Sequence, residues 1–104
     1  MIQEHEIVLY QVEGTNICVN VVFKDETFWM TQKAMAELFD VNVPAISKHL
    51  SNIFEEGELF KEATVSKMEI VQMEGNRKVK REPEFYNLDA IIAVGYRVNS
   101  KKAT

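Results

Sequence analysis

The sequence predicts a single domain of the α+β class. Three features indicate this: a β-rich segment at the start of the 104-residue chain, two short helical patterns in its middle, and a second hairpin pattern before a last helix. A chain of this length buries roughly two thirds of its unfolded surface, enough to form its own core. Apolar residues make up 46% and charged residues 27%, a composition that excludes a disordered chain.

The N-terminal third has the pattern of strands. Residues 7–12 are apolar and rich in β-branched side chains, and a turn-forming segment separates them from residues 17–23. The alternation predicts a β-hairpin with one buried face. This face is expected to hold Ile17, Val19, Val21 and Phe23. Residues 27–30 predict a short third strand with Phe28 and Trp29 in the core, and Cys18 is expected to be a buried, inert thiol.

Helical spacing begins after Thr31, which can cap the first helix through its hydroxyl oxygen. Asp40 is expected to end this helix, and Asn42 to cap a second one in which Pro44 is tolerated in the first turn. Gly57 is the expected stop. The apolar residues that recur at helical spacing are Met35, Leu38 and Phe39, then Ile46, Leu50, Ile53 and Phe54.

The last part of the chain predicts a hairpin followed by a helix. Residues 64–71 and 78–86 read as its two strands around a turn at 74–76, with Pro83 on an edge because it has no N–H to donate. A last helix is expected over 88–98, capped by Asn87. Gly95 within it would allow close contact with another helix.

The two middle helices have the features of an αα-corner, of which the DNA-binding helix-turn-helix is one version. Ala36 supplies the small residue needed where the helices cross, and Asp40 tolerates the left-handed turn better than most residues. Val41 and Ile46 would fill the space between the helices. Many αα-corners that never contact DNA share this pattern, so both readings stay open here.

Charge is distributed unevenly along the chain, although the net charge is −4. Residues 1–60 hold three Lys or Arg against ten Asp or Glu, whereas residues 61–104 hold nine against six. The basic cluster at the second hairpin predicts a wing that neutralises DNA phosphates. The alternative is a solubilising surface hairpin.

Seven short motifs are spread along nearly the whole chain. Residues 28–32, 35–39, 46–50 and 52–59 read FWMTQ, MAELF, ISKHL and NIFEEGEL, and residues 86–92, 94–100 and 103–104 read YNLDAII, VGYRVNS and AT. Together they resemble the RhuM family of bacterial virulence-associated proteins. The resemblance implies a DNA-binding domain, akin to those of phage antirepressor-type proteins, that is the N-terminal part of a longer protein. Val43 and Pro44 depart from the basic or hydroxyl residues expected there in relatives.

These observations predict a winged helix-turn-helix-like domain over residues 1–104 that binds double-stranded DNA. Lysine can reach guanine or a phosphate, asparagine can pair with adenine, and amides at a helix start can hold a phosphate. His49 is expected to be a packing or surface residue. The expected DNA contacts are Thr31, Gln32, Asn42, Ser47, Lys48, Ser51, Asn52, Arg77, Lys78, Lys80 and Arg81.

Catalytic patterns do not occur in the sequence, which has no glycine-rich phosphate loop and no Gly-x-Ser-x-Gly motif. The prediction is therefore non-catalytic binding, in transcriptional regulation or a virulence or phage-related process, with no metal, cofactor or small-molecule ligand. The single cysteine and the lack of a long apolar run favour the cytoplasm and no membrane. The alternative function is a protein-interaction or oligomerisation module. A homodimer is expected through Ile92, Val94, Tyr96 and Val98.

Overall fold

The structure, a computed structural model, describes residues 6–11 and 13–102 and confirms the α+β class. Its strands are β1 (Glu6–Gln11), β2 (Cys18–Lys24), β3 (Thr27–Met30), β4 (Val65–Lys67), β5 (Ile70–Glu74), β6 (Arg77–Arg81) and β7 (Glu84–Asn87). Its helices are α1 (Gln32–Phe39), α2 (Val43–Glu55), α3 (Lys61–Thr64) and α4 (Leu88–Lys102). Val12, the last residue of the first predicted strand, lies outside the described residues.

The larger sheet joins the two ends of the chain. Its five antiparallel strands follow the order β1-β2-β3-β7-β4, so β7 lies between β3 and β4. The predicted N-terminal hairpin forms its first half, with Leu9 opposite Asn20. Trp29 lies opposite Asn87, and Val65 lies opposite Tyr86. The C-terminal strands therefore complete a sheet that the N-terminal hairpin begins.

Apolar side chains pack on both faces of this sheet. On one face, α1, α2 and α4 cover a core that includes Met35, Ile46 and Val94, all completely buried. On the other face, a smaller cluster contains Val22, Trp29, Met68 and Phe85. Neighbouring residues such as Trp29 and Met30 therefore belong to different clusters, as the alternation of side chains in a strand requires.

This second cluster corrects the predicted burial of β2. Val19 is buried and Val21 half-buried beneath the helices, as expected, but Ile17 and Phe23 are exposed beyond the covered part of the sheet. Val22, on the opposite face, is buried against Met68 and Phe85. The prediction that only one face of β2 is buried is therefore wrong.

Two expectations for single side chains near the sheet are also wrong. Cys18 is exposed, although it lies on the same face of β2 as Val22. It is the first residue of the strand, and the smaller cluster does not extend that far. Phe28 is exposed as well and packs against its cross-strand partner Phe23, with ring centroids 5.2 Å apart. Trp29 is buried as expected, and its indole N–H donates to the carbonyl oxygen of Lys24 at 3.0 Å.

The second predicted hairpin is divided into two parts. Its base, β4 with β7, belongs to the large sheet, whereas β5 and β6 form a separate two-stranded sheet that we call the arm. Lys67 lies opposite Glu84 and Ile70 opposite Arg81, so the register continues through the break. Pro83 lies in the break, where its missing N–H interrupts the ladder.

The segment before β4 also differs from the prediction. Residue 64, expected in a strand, ends the short helix α3. The Thr64 hydroxyl is buried and donates to the carbonyl oxygen of Phe60 at 2.7 Å, which satisfies its hydrogen bonding within one turn. The predicted strand therefore begins one residue later and is interrupted after Lys67.

Helix α4 begins as predicted and is longer than predicted. The Asn87 side-chain oxygen accepts from the amide of Ala90 at 3.2 Å, and the helix continues to Lys102. The expected apolar contact surface needs correction, because Val94 and Val98 are buried in the core while Ile92 and Tyr96 are 60% and 78% exposed. Helical periodicity places these two pairs on different faces.

Candidate nucleic-acid interface

The corner between α1 and α2 is built by a left-handed residue. Asp40 has φ 57° and ψ 50°, as expected from the tolerance of Asp for this region. Its conformation turns the chain so that the Val41 amide donates to the carbonyl oxygen of Ala36 at 3.0 Å. Only residues 40–42 separate the two helices, which makes the corner tight.

Polar caps fix where each helix of the corner begins. The Thr31 hydroxyl accepts from the amide of Ala34 at 3.1 Å, and the Asn42 side chain accepts from the amide of Ala45 at 2.8 Å. Ala36 and Ile46 are buried between the helices. The predicted caps, the turn at Asp40 and the packing of Ala36 and Ile46 between the helices are confirmed, and together they hold α2 at a fixed angle to α1.

The outer face of α2 carries small polar side chains and one positively charged side chain, Lys48. Ser47, Lys48 and Ser51 are exposed, whereas Asn52 is half-buried. Lys48 and Asn52 lie beside α4 and line a groove of about 620 Å³ between the two helices. Besides these two residues, the groove is lined by Ala45, His49, Glu58, Tyr96, Arg97 and Ser100.

Arg97 of α4 joins the acidic end of α2 to the groove. Its guanidinium lies 2.7 Å from a carboxylate oxygen of Glu56 and 2.9 Å from one of Glu58. The hydrogen bonds with these carboxylates, with Glu56 as the larger cause, raise the pKa of Arg97. Two acidic groups at the end of α2, whose negative charge would repel DNA, are thus partly neutralised. Sequence reasoning missed this because Arg97 lies about 40 residues away.

The predicted phosphate contacts at the start of α1 have partners within the protein. The Thr31 hydroxyl caps the helix, and the Gln32 side-chain amide donates to the Tyr86 hydroxyl at 3.0 Å. That hydroxyl in turn donates to a carboxylate oxygen of Glu84 at 3.2 Å. Burial raises the pKa of Tyr86. These side chains therefore attach α1 to β7.

The arm carries the four predicted basic residues, all exposed. Arg81 is held by Glu74 through two hydrogen bonds of 2.7 and 2.9 Å, which lower the pKa of Glu74 and raise that of Arg81. Arg77, Lys78 and Lys80 make no ion pair with any residue in the described part of the chain. Three cations of the arm are thus available to a partner.

Apart from Thr31 and Gln32 at the start of α1, the predicted contacts lie in two groups. One group is on α2, beside α4. The other is on the arm, whose root packs through Ile70 against the smaller core cluster and forms a groove with Thr31 and Lys33 at the start of α1. The arm root is therefore adjacent to α1, and the groove beside α2 contains no arm residue.

The C-terminal part of the chain resembles a known protein family. Residues 63–104 match the model of the Virulence protein RhuM family. Over these residues the chain is similar to that family. This RhuM segment contains the arm, β7 and α4, and it confirms the resemblance over that part of the chain. No curated protein and no solved structure matches the chain.

Within residues 6–11 and 13–102, no helix has the length and apolar character needed to cross a bilayer. Over the same ranges, no three His, Cys, Asp or Glu side chains lie together as potential metal ligands.

Proposed function

We propose that this protein binds double-stranded DNA without catalysis, as a winged helix-turn-helix-like domain in transcriptional regulation or a virulence or phage-related process. One observation carries the proposal: the left-handed turn at Asp40 directs α2 away from α1 with its outer polar face uncovered. Ser47, Lys48 and Ser51 lie on that face. A helix fits the major groove, where such side chains can reach base edges and phosphates.

The arm supports the proposal through charge. Arg77, Lys78 and Lys80 are exposed on a projecting two-stranded sheet that follows α2 in the chain, as a wing does. Each phosphate neutralised by such residues releases counterions, which makes the affinity depend on salt. The net charge of −4 does not oppose this, since the basic residues are concentrated locally.

A salt titration of duplex binding tests the proposal. Wild-type protein is expected to bind a random-sequence duplex with an affinity that falls as salt rises. Replacing Arg77, Lys78, Lys80 and Arg81 by Ala should weaken binding to any duplex and reduce the slope of log K against log salt by about 0.9 for each lost contact. Lys61→Ala with Lys67→Ala, on α3 and β4, is the control.

Two results would contradict parts of this proposal. An unchanged slope in the fourfold variant would exclude the arm as a wing. If the wild type shows no salt-dependent binding, and selection from random duplexes enriches no sequence, DNA binding itself is excluded.

A protein-interaction module is the second candidate, because α4 carries an uncovered apolar surface. Ile92 and Tyr96 lie one turn apart and are largely exposed. Large exposed apolar side chains on adjacent turns are typical of contact surfaces. This surface is compatible with DNA binding as a dimer, since helix-turn-helix proteins commonly read two half-sites.

A further inference from the structure

The two faces of the arm have different chemistry. Residues opposite each other in an antiparallel pair share a face, and the register sets Val71 opposite Lys80 and Met73 opposite Lys78. We call this set the outer face. The inner face contains Ile70 and Glu74 of β5 with Arg77, Val79 and Arg81 of β6.

Three residues of the inner face, Ile70, Glu74 and Arg81, make contacts within the protein. Ile70 is half-buried against the core cluster of Val22 and Phe85. Along the same face, Glu74 near the tip and Arg81 at the root hold each other in a bidentate ion pair. Such a fork between guanidinium and carboxylate fixes geometry as well as charge. Arg81 therefore has a role in holding the arm together.

Among the described residues the outer face makes no ion pair, and its one approach to the rest of the protein is at Val71, which borders the groove at the start of α1. Val71 and Met73 are 60% and 63% exposed, and Lys78 and Lys80 are exposed beside them. No acidic residue belongs to this face. It therefore presents two apolar side chains on one strand and two positive charges on the other.

We infer that the outer face is the surface of the arm that binds the DNA duplex, an inference that rests on the proposed function. Lys78 and Lys80 bind phosphates, while Val71 and Met73 pack against sugars and base edges in the minor groove. Arg81 links the two strands of the arm through Glu74 and does not contact DNA.

Complementarity of charge and shape selects the duplex as the partner. Side chains two apart on a strand are about 7 Å from each other, so the two lysines can bind separate phosphates along one DNA strand. Proteins that bind the minor groove combine basic residues with apolar ones such as Met. An apolar protein surface would have to bury both ammonium groups, which is costly.

Two double variants with the same change of charge test the lysines. Lys78→Gln with Lys80→Gln alters the outer face, and Arg77→Gln with Arg81→Gln alters the inner face. In salt titrations with a random-sequence duplex, the outer variant should lose about 1.8 from the slope, the value for two phosphate contacts. The inner variant should lose less than half of that. Equal losses, or a larger loss for the inner variant, would overturn the inference.

A third variant tests the apolar half of the outer face. Val71→Ser with Met73→Ser should weaken duplex binding about tenfold with an unchanged salt slope, because apolar burial contributes to affinity without counterion release. Leu9→Ser, at an exposed apolar position of β1, is the matched control, and thermal unfolding checks the fold of each variant. Unchanged affinity of the serine variant would overturn this assignment.

The same experiments distinguish failure of the proposed function from failure of this inference. If the wild type binds no duplex, DNA binding and this inference are both excluded. If wild type binds vesicles containing phosphatidylserine and no duplex, the outer face has an anionic membrane as its partner, which also overturns the inference. A normal wild-type titration with indistinguishable variants excludes the inference alone.

Discussion

A methyl group on Gly95 would lie 3.0 Å from both Cε1 and Cζ of the Phe39 ring. Gly95 is in the middle of α4, and Phe39 is the last residue of α1. The ring therefore rests directly on the backbone of α4. This contact connects the corner of α1 and α2 to the helix that lines the far side of the groove.

The effect of Gly95→Ala should depend on Phe39. In a helix interior, alanine is favoured over glycine by about 1 kcal/mol. We expect this gain in unfolding free energy only in a Phe39→Ala background, because in the wild type the contact with the ring offsets it. Urea unfolding of the four proteins of this double-mutant cycle measures the coupling. The same effect of Gly95→Ala in both backgrounds would show that the ring does not restrict this position.

Asp40 should show the cost of a left-handed residue. Asp40→Ala is expected to lower the unfolding free energy by about 1 kcal/mol, since alanine disfavours positive φ, whereas Asp40→Gly should not lower it. Glu37→Ala, which removes the same charge from an exposed helical position, is the control. If the alanine variant is as stable as the glycine variant in urea, the turn is not set by this residue.

Lys48 and Asn52 should decide sequence preference. Replacing both by Ala is expected to reduce the preference for a site selected from random duplexes by at least about tenfold, since one good base contact is worth about 1–3 kcal/mol. Weak salt-dependent binding through the arm should survive, and the unfolding free energy should change by only about 0.5 kcal/mol. Competition titrations against a scrambled duplex measure the preference. An unchanged preference would exclude this face of α2 as the reader.

Tyr86 should make the fold sensitive to alkali. Burial raises its pKa above the ordinary value of about 10, so the folded protein holds the phenolic proton more tightly than the unfolded chain does. The contribution of this protonated hydroxyl to the unfolding free energy is complete below pH 10. It is lost as the pH rises through the raised pKa. Tyr86→Phe should therefore lose less stability than the wild type between pH 9 and 11, as measured by urea unfolding. Tyr96→Phe, at an exposed site, should decline like the wild type.

A dimer through α4 should depend on Ile92 and Tyr96. We expect wild-type protein to dimerise at high concentration and Ile92→Ser with Tyr96→Ser to stay monomeric in sedimentation equilibrium. Both side chains are exposed, so the stability of the monomer should hardly change. Leu9→Ser, exposed on β1, should dimerise like the wild type. A wild type that remains monomeric at every concentration would exclude this contact.

Local chemistry explains why the corner could be predicted from the sequence. The caps at Thr31 and Asn42 and the turn at Asp40 each depend on residues within four positions. Burial in β2 could not be predicted in the same way. It depends on Met68 and Phe85, which cover the second face of the sheet from a distant part of the chain.

The same distinction applies to the candidate site. Residue types and helical spacing were sufficient to predict exposure of Ser47, Lys48 and Ser51. The partner of Gln32 lies 54 residues away at Tyr86, and Arg97 reaches Glu56 from another helix. Such contacts arise only once the sheet has brought the two ends of the chain together, so no local pattern indicates them.

The position of β7 between β3 and β4 joins strands from both halves of the chain in one sheet. A fragment ending before α3 would leave unpaired the edge of β3 that faces β7, at Trp29 and Met30, and this edge would be open to another copy of the same strand. A fragment with the RhuM segment alone would contain β4 and β7 without the strands that complete their sheet. The boundary of family similarity therefore does not coincide with a boundary of folding, and any truncation meant to isolate the arm must retain the N-terminal hairpin.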